Sequence, residues 1–328
     1  MPETKFRWGI LGPGNIAKKF ATGLQALPNH ELVAIGSSSK ERATAFAAEF
    51  GARRAYGSYE ELVADAEVDA IYAARPHTMH ARDALFCIAA GKPVIVEKPF
   101  TVNEGQARQV VDAARTAGMF VLEAMWSRFI PATVEVRKLV ADGAIGAPRM
   151  IQADFGFRAG VNPKGRLFNP DLAGGGLLDV GIYPLSFSSM IFGEPTQVVS
   201  VADIGSTGVD EQCGVVLGHK GGEISLVASA VRTNTPQAAV IIGEEGRITL
   251  NSPFWNPRTY TISRCGKDET VEIPISGNGY EFEALEVEKC VRAGLNESPG
   301  LPLDETISLI RTMDKCRAQW GLKYPGEE

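Results

Sequence analysis

Three residues of types that bind ligands and exchange protons stand out in two segments of the chain. Lys98 ends a short apolar run that predicts a buried strand, at the edge of a sheet where α/β proteins bind ligands. Asp179 and Tyr183 lie four residues apart, on one face of a predicted helix that follows three glycines. An aspartate in so apolar a helix needs a partner, and Lys98 is the natural candidate. The alternatives are an ion pair between Lys98 and Glu97, and a turn-capping aspartate beside a core tyrosine.

A glycine-rich turn follows the first apolar run of the chain. Its sequence, Gly-Pro-Gly-Asn-Ile-Ala over residues 12–17, is the G-x-G-x-x-A variant of the dinucleotide fingerprint. The first glycine would make the tight turn, the second would admit a pyrophosphate to the backbone, and the alanine would allow close helix packing. The phosphates would bind at the helix N-terminus. Cofactor contacts are predicted at Gly12, Gly14, Asn15 and Ile16.

The end of the second predicted strand indicates which nucleotide binds. An NAD site needs an acidic residue there to accept from the ribose 2′-hydroxyl, whereas residues 37–42 read Ser-Ser-Ser-Lys-Glu-Arg. Hydroxyl groups and cations suit a 2′-phosphate, so NADP is favoured over NAD. The alternative is that the two cations belong to a solvated first helical turn. The predicted contacts are Ser37, Ser38, Ser39, Lys40 and Arg42.

A further cationic segment follows the third predicted strand. Arg75 would neutralise a cofactor phosphate, reach an anionic substrate, or form a plain surface ion pair. The histidines at positions 77 and 80 lack the further ligands that a metal site requires, so no metal is predicted. We expect His80 to form a hydrogen bond with the protein backbone near the nicotinamide end of the cofactor. The candidate cofactor contacts of this segment are Arg75, Pro76, His77 and His80.

The elements that would position these residues fall into two predicted domains. Nearly continuous apolar runs alternate with helical segments over residues 1–124, which predicts a doubly wound parallel sheet in a dinucleotide-binding domain. Strands are predicted at 6–11, 32–37, 70–74, 94–97 and 120–124. Residues 197–275 read as successive strands without helices, so domain 125–328 is α/β with a mainly antiparallel sheet. The last helix is a candidate to pack back on the first domain.

Composition narrows the class of protein. The chain has 328 residues and a net charge of −6, which argues against binding to nucleic acid or anionic membranes. No apolar run approaches the ~20 residues of a membrane span, and the N-terminus has no room for a signal peptide. Five cysteines lie far apart without a C-x-x-C pair, which is typical of reduced thiols. We therefore expect a soluble, cytoplasmic protein.

The order and spacing of these motifs carry a family resemblance. The glycine turn, Glu97-Lys98-Pro99 and residues 174–183 resemble the Gfo/Idh/MocA oxidoreductases. Residues 123–129 and 279–299 look like the branch of dimeric dihydrodiol dehydrogenases and NADP-dependent D-xylose dehydrogenases. The resemblance implies a Rossmann domain followed by an α/β domain with a large open sheet. The exposed face of such a sheet commonly pairs subunits, so a homodimer or homotetramer is expected.

The resemblance also implies roles for individual residues. Lys98, Asp179 and Tyr183 match the family's catalytic positions, and Asp179 would orient Lys98 and a substrate hydroxyl. A phenol titrates near ~10, and a positive lysine beside it would favour the phenolate. The tyrosine would then take an alcohol proton as hydride leaves for the nicotinamide. Further cofactor contacts are expected at Glu97, Lys98, Trp126 and Arg128, and the candidate substrate walls are Trp126, Phe155, Trp255 and Tyr280.

These inferences predict an oxidoreductase that transfers hydride between NADP and a carbinol of a sugar, cyclic polyol or dihydrodiol. One alternative is a sugar oxidoreductase with tightly held NADP. Another is a non-catalytic, NADP-sensing regulatory protein, which would need no acid–base tyrosine. Ser38 departs from the arginine that NADP-using relatives often carry, which leaves NAD open as the cofactor.

Overall fold

A computed structural model describes residues 5–327 as two compact units. The first unit comprises residues 5–101, 105–126 and 275–306, and the second comprises residues 102–104, 127–274 and 307–327. The main crossing into the second unit thus comes two residues after the predicted boundary at 124, and residues 275–306 return to the first unit.

The first unit contains a six-stranded parallel sheet in the order β3-β2-β1-β4-β5-β6. The crossover at β1 and β4 is the strand order of a Rossmann fold, as predicted. The strands are β1 (Phe6–Leu11), β2 (His30–Gly36), β3 (Arg54–Tyr56), β4 (Ala70–Ala73), β5 (Val94–Glu97) and β6 (Val121–Ala124). The helices between them are α1 (Asn15–Leu24), α2 (Lys40–Phe50), α3 (Tyr59–Val63), α4 (His80–Ala89) and α5 (Glu104–Ala117).

The continuous apolar runs form the central strands because helices cover both faces of this sheet. Every residue of β4, β5 and β6 is buried. The sequence did not predict β3 or α3. The three residues of β3 are only half-buried, and they pair with β2 alone at the edge of the sheet. An edge strand this short carries no apolar run in the sequence.

The second unit contains an eight-stranded sheet in the order β14-β13-β12-β11-β7-β10-β9-β8. All neighbouring strands are antiparallel except β7 and β10, which run parallel, so the predicted mainly antiparallel sheet is confirmed. The strands are β7 (Pro148–Gly156), β8 (Gln197–Ile204), β9 (Asp210–Gly218), β10 (Ile224–Ala230), β11 (Ala239–Gly243), β12 (Gly246–Leu250), β13 (Thr259–Arg264) and β14 (Lys267–Glu272). The helices of the remaining chain are α6 (Pro131–Ala141), α7 (Ile182–Phe192), α8 (Glu281–Arg292) and α9 (Leu303–Trp320).

One face of this sheet is covered by the most apolar helical segment of the chain. A π-helical turn, Leu177–Gly181, continues directly into α7 and packs on β7 and β10. By length and composition the stretch Pro170–Phe192 resembles a membrane span, contrary to our expectation, but 83% of its most apolar window is buried. Burial of this extent is the property of a core helix in a globular unit.

The opposite face of the sheet exposes apolar side chains at alternate positions of β8, β9 and β10. Val201 is 73% exposed, and Val199, Val216 and Leu226 lie on the same face. Alternation follows from the two-residue period of a strand, which directs neighbouring side chains to opposite faces. The open face that the resemblance implied is therefore present.

Candidate active site

The glycine turn of the first unit has the geometry of a dinucleotide site. Gly12 has φ of +98°, and its N–H donates to the carbonyl of Gly36 at the end of β2. A Cβ at Gly12 would lie 2.8 Å from Arg75 Cγ, so only glycine fits there. Gly14 precedes the first residue of α1 and has no side chain with which to cap that helix. A phosphate fits this uncapped N-terminus because the N–H groups of the first turn and the helix dipole favour an anion.

The end of β2 presents hydroxyl groups and no acidic residue before α2. Ser37 is buried and accepts a hydrogen bond from the Ser39 N–H, whereas Ser38 is exposed. Ser39 caps α2 by accepting from the N–H of Arg42. The side chains of the two predicted cations, Lys40 and Arg42, have different surroundings. The Lys40 ammonium donates to the carbonyl of Ala55 in β3, whereas Arg42 is exposed.

Arg75 lies beside the glycine turn, immediately after β4. Its guanidinium forms two hydrogen bonds to the buried carboxylate of Asp83 in α4, one of them 2.6 Å from Nε to Oδ2. The same guanidinium lies 4.6 Å above the ring of Tyr59. The structure shows Arg75 in a largely buried ion pair with Asp83, which fixes the side chain against Gly12. Its contact with a cofactor phosphate or an anionic substrate remains a prediction.

His80 joins β4 to the segment that carries Lys98. Its Nδ1 lies 2.7 Å from the carbonyl oxygen of Pro99, and its Nε2 lies 2.8 Å from that of Arg75. Burial lowers the pKa of His80, although both carbonyl contacts act in the opposite direction. His77 is buried in the 3-10 turn that precedes α4, 5.6 Å from His80 between ring centroids. Within residues 5–327 no group of three His, Cys, Asp or Glu side chains is arranged to hold a metal.

Lys98 is half-buried and directly follows β5, whose last residue is the buried Glu97. The carboxylate of Glu97 accepts from the Tyr72 hydroxyl and, at 3.1 Å, from the backbone N–H of Lys98. Glu283 of α8 is fully buried, and burial together with the charge of Glu97 raises its pKa well above the usual range. Glu283 therefore holds its proton more tightly than an exposed carboxyl does.

Of the two other candidate catalytic residues, Asp179 lies in the π-helical turn of the second unit and Tyr183 is the second residue of α7, which follows it. Asp179 and Tyr183 are 4% and 6% exposed. Within this unit Arg166 pairs with Asp179: its Nη1 lies 2.8 Å from Asp179 Oδ1 and its Nη2 lies 3.4 Å from Oδ2. We did not single out Arg166, because a cation in a loop rich in glycine, proline and asparagine looks solvated. The pairing of Asp179 with Lys98 remains a prediction.

Aromatic rings surround Tyr183 in the second unit. Phe155 of β7 and Trp255, in the loop after β12, stack in parallel with ring centroids 3.4 Å apart. The Tyr183 ring lies 5.3 Å from Phe155 and 6.3 Å from Trp255. Two of the four predicted substrate residues therefore lie beside the candidate catalytic tyrosine.

The other predicted aromatic residues lie together in the first unit. Trp126 and Tyr280 are both buried and stack with centroids 4.5 Å apart. Arg128, a predicted cofactor contact, belongs to the second unit, where it is buried and donates to the hydroxyl and carbonyl oxygens of Ser186 in α7. The structure thus places Arg128 beneath the helix that begins near Tyr183, and its contact with cofactor remains a prediction.

Comparison with known proteins identifies two family domains in the chain. A model of the oxidoreductase family with an NAD-binding Rossmann fold matches residues 6–124, and a model of the GFO/IDH/MocA C-terminal domain matches residues 133–249. The chain is 38% identical over 334 residues to a trans-1,2-dihydrobenzene-1,2-diol dehydrogenase of Mus musculus, covering 98% of this chain and 99% of that protein. The Homo sapiens protein of the same name is 34% identical over 336 residues, covering 98% and 99%.

Two solved enzyme structures are similar to this chain over nearly its whole length. An aldose-aldose oxidoreductase from Caulobacter crescentus, complexed with glycerol, is 25% identical with a TM-score of 0.86, covering 97% of this chain and 98% of that one. A 3-ketoreductase from Actinomadura kijaniata, in complex with NADP and TDP-benzene, is 25% identical with a TM-score of 0.85, covering 96% and 98%. The family models and the near-full-length relatives confirm the resemblance seen in the sequence. The chain belongs to the Gfo/Idh/MocA family of oxidoreductases.

Proposed function

We propose that this oxidoreductase is an NADP-dependent dehydrogenase or reductase that acts on a secondary alcohol of a dihydrodiol, sugar or cyclic polyol. The observation that carries the proposal is the surroundings of Tyr183. Its ring lies against a stacked pair of aromatic residues, one helical turn from the buried Asp179. A phenol beside the apolar surface of two stacked aromatic rings is suited to exchanging a proton with an alcohol on a cyclic substrate.

The proposed roles divide the work among three side chains. Tyr183 takes the proton of the substrate hydroxyl during oxidation and returns it during reduction. Lys98 favours the phenolate through its positive charge, a role that rests on the family's motif in the sequence. Asp179, which Arg166 holds by two contacts, orients the substrate hydroxyl. When bound, the nicotinamide ring supplies the carbon that accepts or gives the hydride.

The first unit supports NADP as the cofactor. The uncapped N-terminus of α1 and the glycine turn fit the pyrophosphate. Exposed Ser38 and Arg42 offer a hydroxyl and a cation at the end of β2, where an NAD site needs an acid. The structurally similar 3-ketoreductase is a complex with NADP. We accordingly infer tighter binding of NADP than of NAD.

The aromatic cluster favours a substrate with a flat or apolar ring face. Stacked Phe155 and Trp255 bury such a face, because aromatic side chains combine a large apolar area with a defined orientation. The curated relatives are named for a dihydrodiol, whose ring offers this face. The aldose-aldose oxidoreductase supports the second candidate, an enzyme that holds NADP tightly while it oxidises one sugar and reduces another.

Assembly and location complete the proposal. We infer a homodimer formed through the exposed apolar face of the eight-stranded sheet, because an apolar patch of this kind marks an interface. We also infer a cytoplasmic enzyme, since its five cysteines are free thiols and four of them are buried.

The test is a substrate panel with both cofactors. Purified protein, freed of nucleotide by unfolding and refolding, is assayed with NADP⁺ or NAD⁺ against trans-1,2-dihydrobenzene-1,2-diol, D-xylose, D-glucose and inositol. Turnover of at least one compound with NADP⁺ is expected. Protein that binds NADP but reduces it with none of these compounds would contradict the proposal. Nucleotide that stays bound through desalting, with exchange between two sugars, would favour the second candidate.

A further inference from the structure

The turn before the π-helical segment is held from two sides by residues distant in sequence. Gly175 has φ of +121°, and a Cβ there would lie 2.2 Å from Asp210 Oδ1. The other carboxylate oxygen of Asp210 accepts from the Leu177 N–H at 2.6 Å. The Tyr324 hydroxyl donates to the carbonyl of Gly174 at 2.6 Å. Two different side chains thus fix the segment Gly174–Leu177, one at the carbonyl of Gly174 and the other at the N–H of Leu177.

The burial of Asp210 costs folding free energy. It is fully buried at the start of β9, and burial raises its pKa to about 7 although backbone N–H groups oppose the shift. Its Oδ1 has no hydrogen-bond partner within residues 5–327. A buried carboxyl that is only half satisfied destabilises the folded chain. Backbone N–H groups compensate part of this cost, and the first of them is that of Leu177, where the π-helical turn begins.

Tyr324 is also held in place by a network. It lies buried near the C-terminus, and its backbone N–H donates to Glu327 at 2.8 Å. Glu327 in turn accepts two hydrogen bonds from the buried guanidinium of Arg317 in α9. The C-terminal segment therefore presents the Tyr324 hydroxyl to Gly174 from a fixed position.

We propose that Asp210 and Tyr324 are positioning residues, which fix the turn so that Asp179 and Tyr183 keep the orientation needed for proton transfer. Asp179 follows Leu177 by two residues, so rotation at the turn would redirect its carboxylate. The kinetic part of this inference rests on the proposed function. Misplacement of a catalytic group by about 1 Å is enough to cost roughly 10²-fold in rate.

The test compares variants that remove each bond with variants that keep it. Asp210→Ala removes the acceptor for Leu177, whereas Asp210→Asn keeps an oxygen there. Tyr324→Phe removes only the hydroxyl. Asp142→Ala, which removes an exposed acid directly after α6 in the same unit, is the matched control. For each variant, kcat and KM are measured with NADP⁺ and trans-1,2-dihydrobenzene-1,2-diol, and amide hydrogen exchange is followed by mass spectrometry over residues 174–187.

The expected pattern separates positioning from general stability. Asp210→Ala should lower kcat by roughly 10- to 100-fold with little change in KM for NADP⁺, and should speed exchange in the 174–187 segment. Tyr324→Phe should act in the same direction by about 3- to 10-fold. Asp210→Asn should restore kcat to within about 3-fold of the parent and restore slow exchange, and Asp142→Ala should match the parent.

Two results would overturn the inference. One is parental kcat together with parental exchange in Asp210→Ala and Tyr324→Phe. The other is an Asp210→Asn protein as impaired as Asp210→Ala while exchange over 174–187 is unchanged. If Asp210→Ala does not fold, the Asn and Phe variants decide by the same measurements. A parent chain that turns over no diol refutes the diol assignment in the proposed function, and exchange then decides on positioning alone.

Discussion

Replacing Arg166 by alanine removes the guanidinium that contacts both carboxylate oxygens of Asp179. A charged hydrogen bond to a buried carboxylate contributes about 1–3 kcal/mol. Because the Arg166 side chain is 62% exposed and solvent screens its charge, we take the lower end, about 1 kcal/mol. The melting temperature should then fall by roughly 2–4 °C. If the same energy is lost from the orientation of Asp179 in the transition state, kcat should fall about 5-fold.

The assay pairs thermal unfolding with steady-state kinetics on the compound that the panel identifies. Arg158→Ala is the matched control, since it removes an exposed cation from the same loop. Arg166→Lys should recover part of the loss, because an ammonium keeps the charge without the planar fork. If Arg166→Ala and Arg158→Ala have the same melting temperature and the same kcat, Arg166 does not support Asp179 and the reasoning is refuted.

Three further predictions concern cofactor, pH and assembly. Ser38→Asp should weaken NADP binding and improve NAD binding, because a carboxylate repels the 2′-phosphate and accepts from a 2′-hydroxyl; fluorescence titrations that show NAD binding more tightly to the parent would contradict this. Burial raises the pKa of Asp210 from 3.8 to about 7 on folding. Between these pH values the unfolded chain binds fewer protons than the folded chain, so the free energy of unfolding falls as the pH rises, by up to roughly 4 kcal/mol. Asp210→Asn should remove that fall, measured by urea unfolding at about pH 5 and about pH 7.5, and an identical pH dependence in both proteins would refute the assignment. Light scattering should give twice the 35.2 kDa of one chain, and Val199→Glu with Val201→Glu should give the mass of a monomer; a monomeric parent at micromolar concentration would exclude the interface.

The sequence carried enough information for the Rossmann sheet because its central strands are buried on both faces. The predicted strands 6–11 and 94–97 agree with β1 and β5 to the residue, and the others agree within two residues at each end. The missed β3 shows the limit of this reasoning. Its residues pair with β2 over only three positions, and nothing in a short, half-buried edge strand differs from a loop.

Candidate site residues were predictable from the sequence where the type of a residue, in its local sequence, indicates which contacts it needs. The aspartate at position 179, inside an apolar helix, required a partner, but the sequence could not indicate that Arg166, 13 residues earlier in a polar loop, would supply it. The contact of Asp210 with Leu177 spans 33 residues and joins a strand to a helix. Such contacts depend on how the sheet and helix pack, and no local pattern records them.

The directions of long cationic side chains could not be predicted from the local sequence either. Lys40 and Arg42 lie two residues apart in the first turn of α2, yet the ammonium of Lys40 turns to the backbone of β3 while Arg42 is exposed. Neighbouring backbone carbonyls from an unpredicted strand decided the outcome for Lys40. Charge near the end of β2 was therefore predictable, and the direction of each charged side chain was not.

The most direct test of the proposed chemistry is the turnover number of Tyr183→Phe. Phenylalanine keeps the ring packed against Phe155 and Trp255 and removes only the hydroxyl that would exchange the proton. With NADP⁺ and a substrate identified for the parent, kcat should fall by roughly 10²–10⁴-fold, the range of a positioned general acid–base. NADP affinity, measured by fluorescence titration in the same preparation, should be unchanged. A Tyr183→Phe protein that turns over at near the parental kcat would contradict the account.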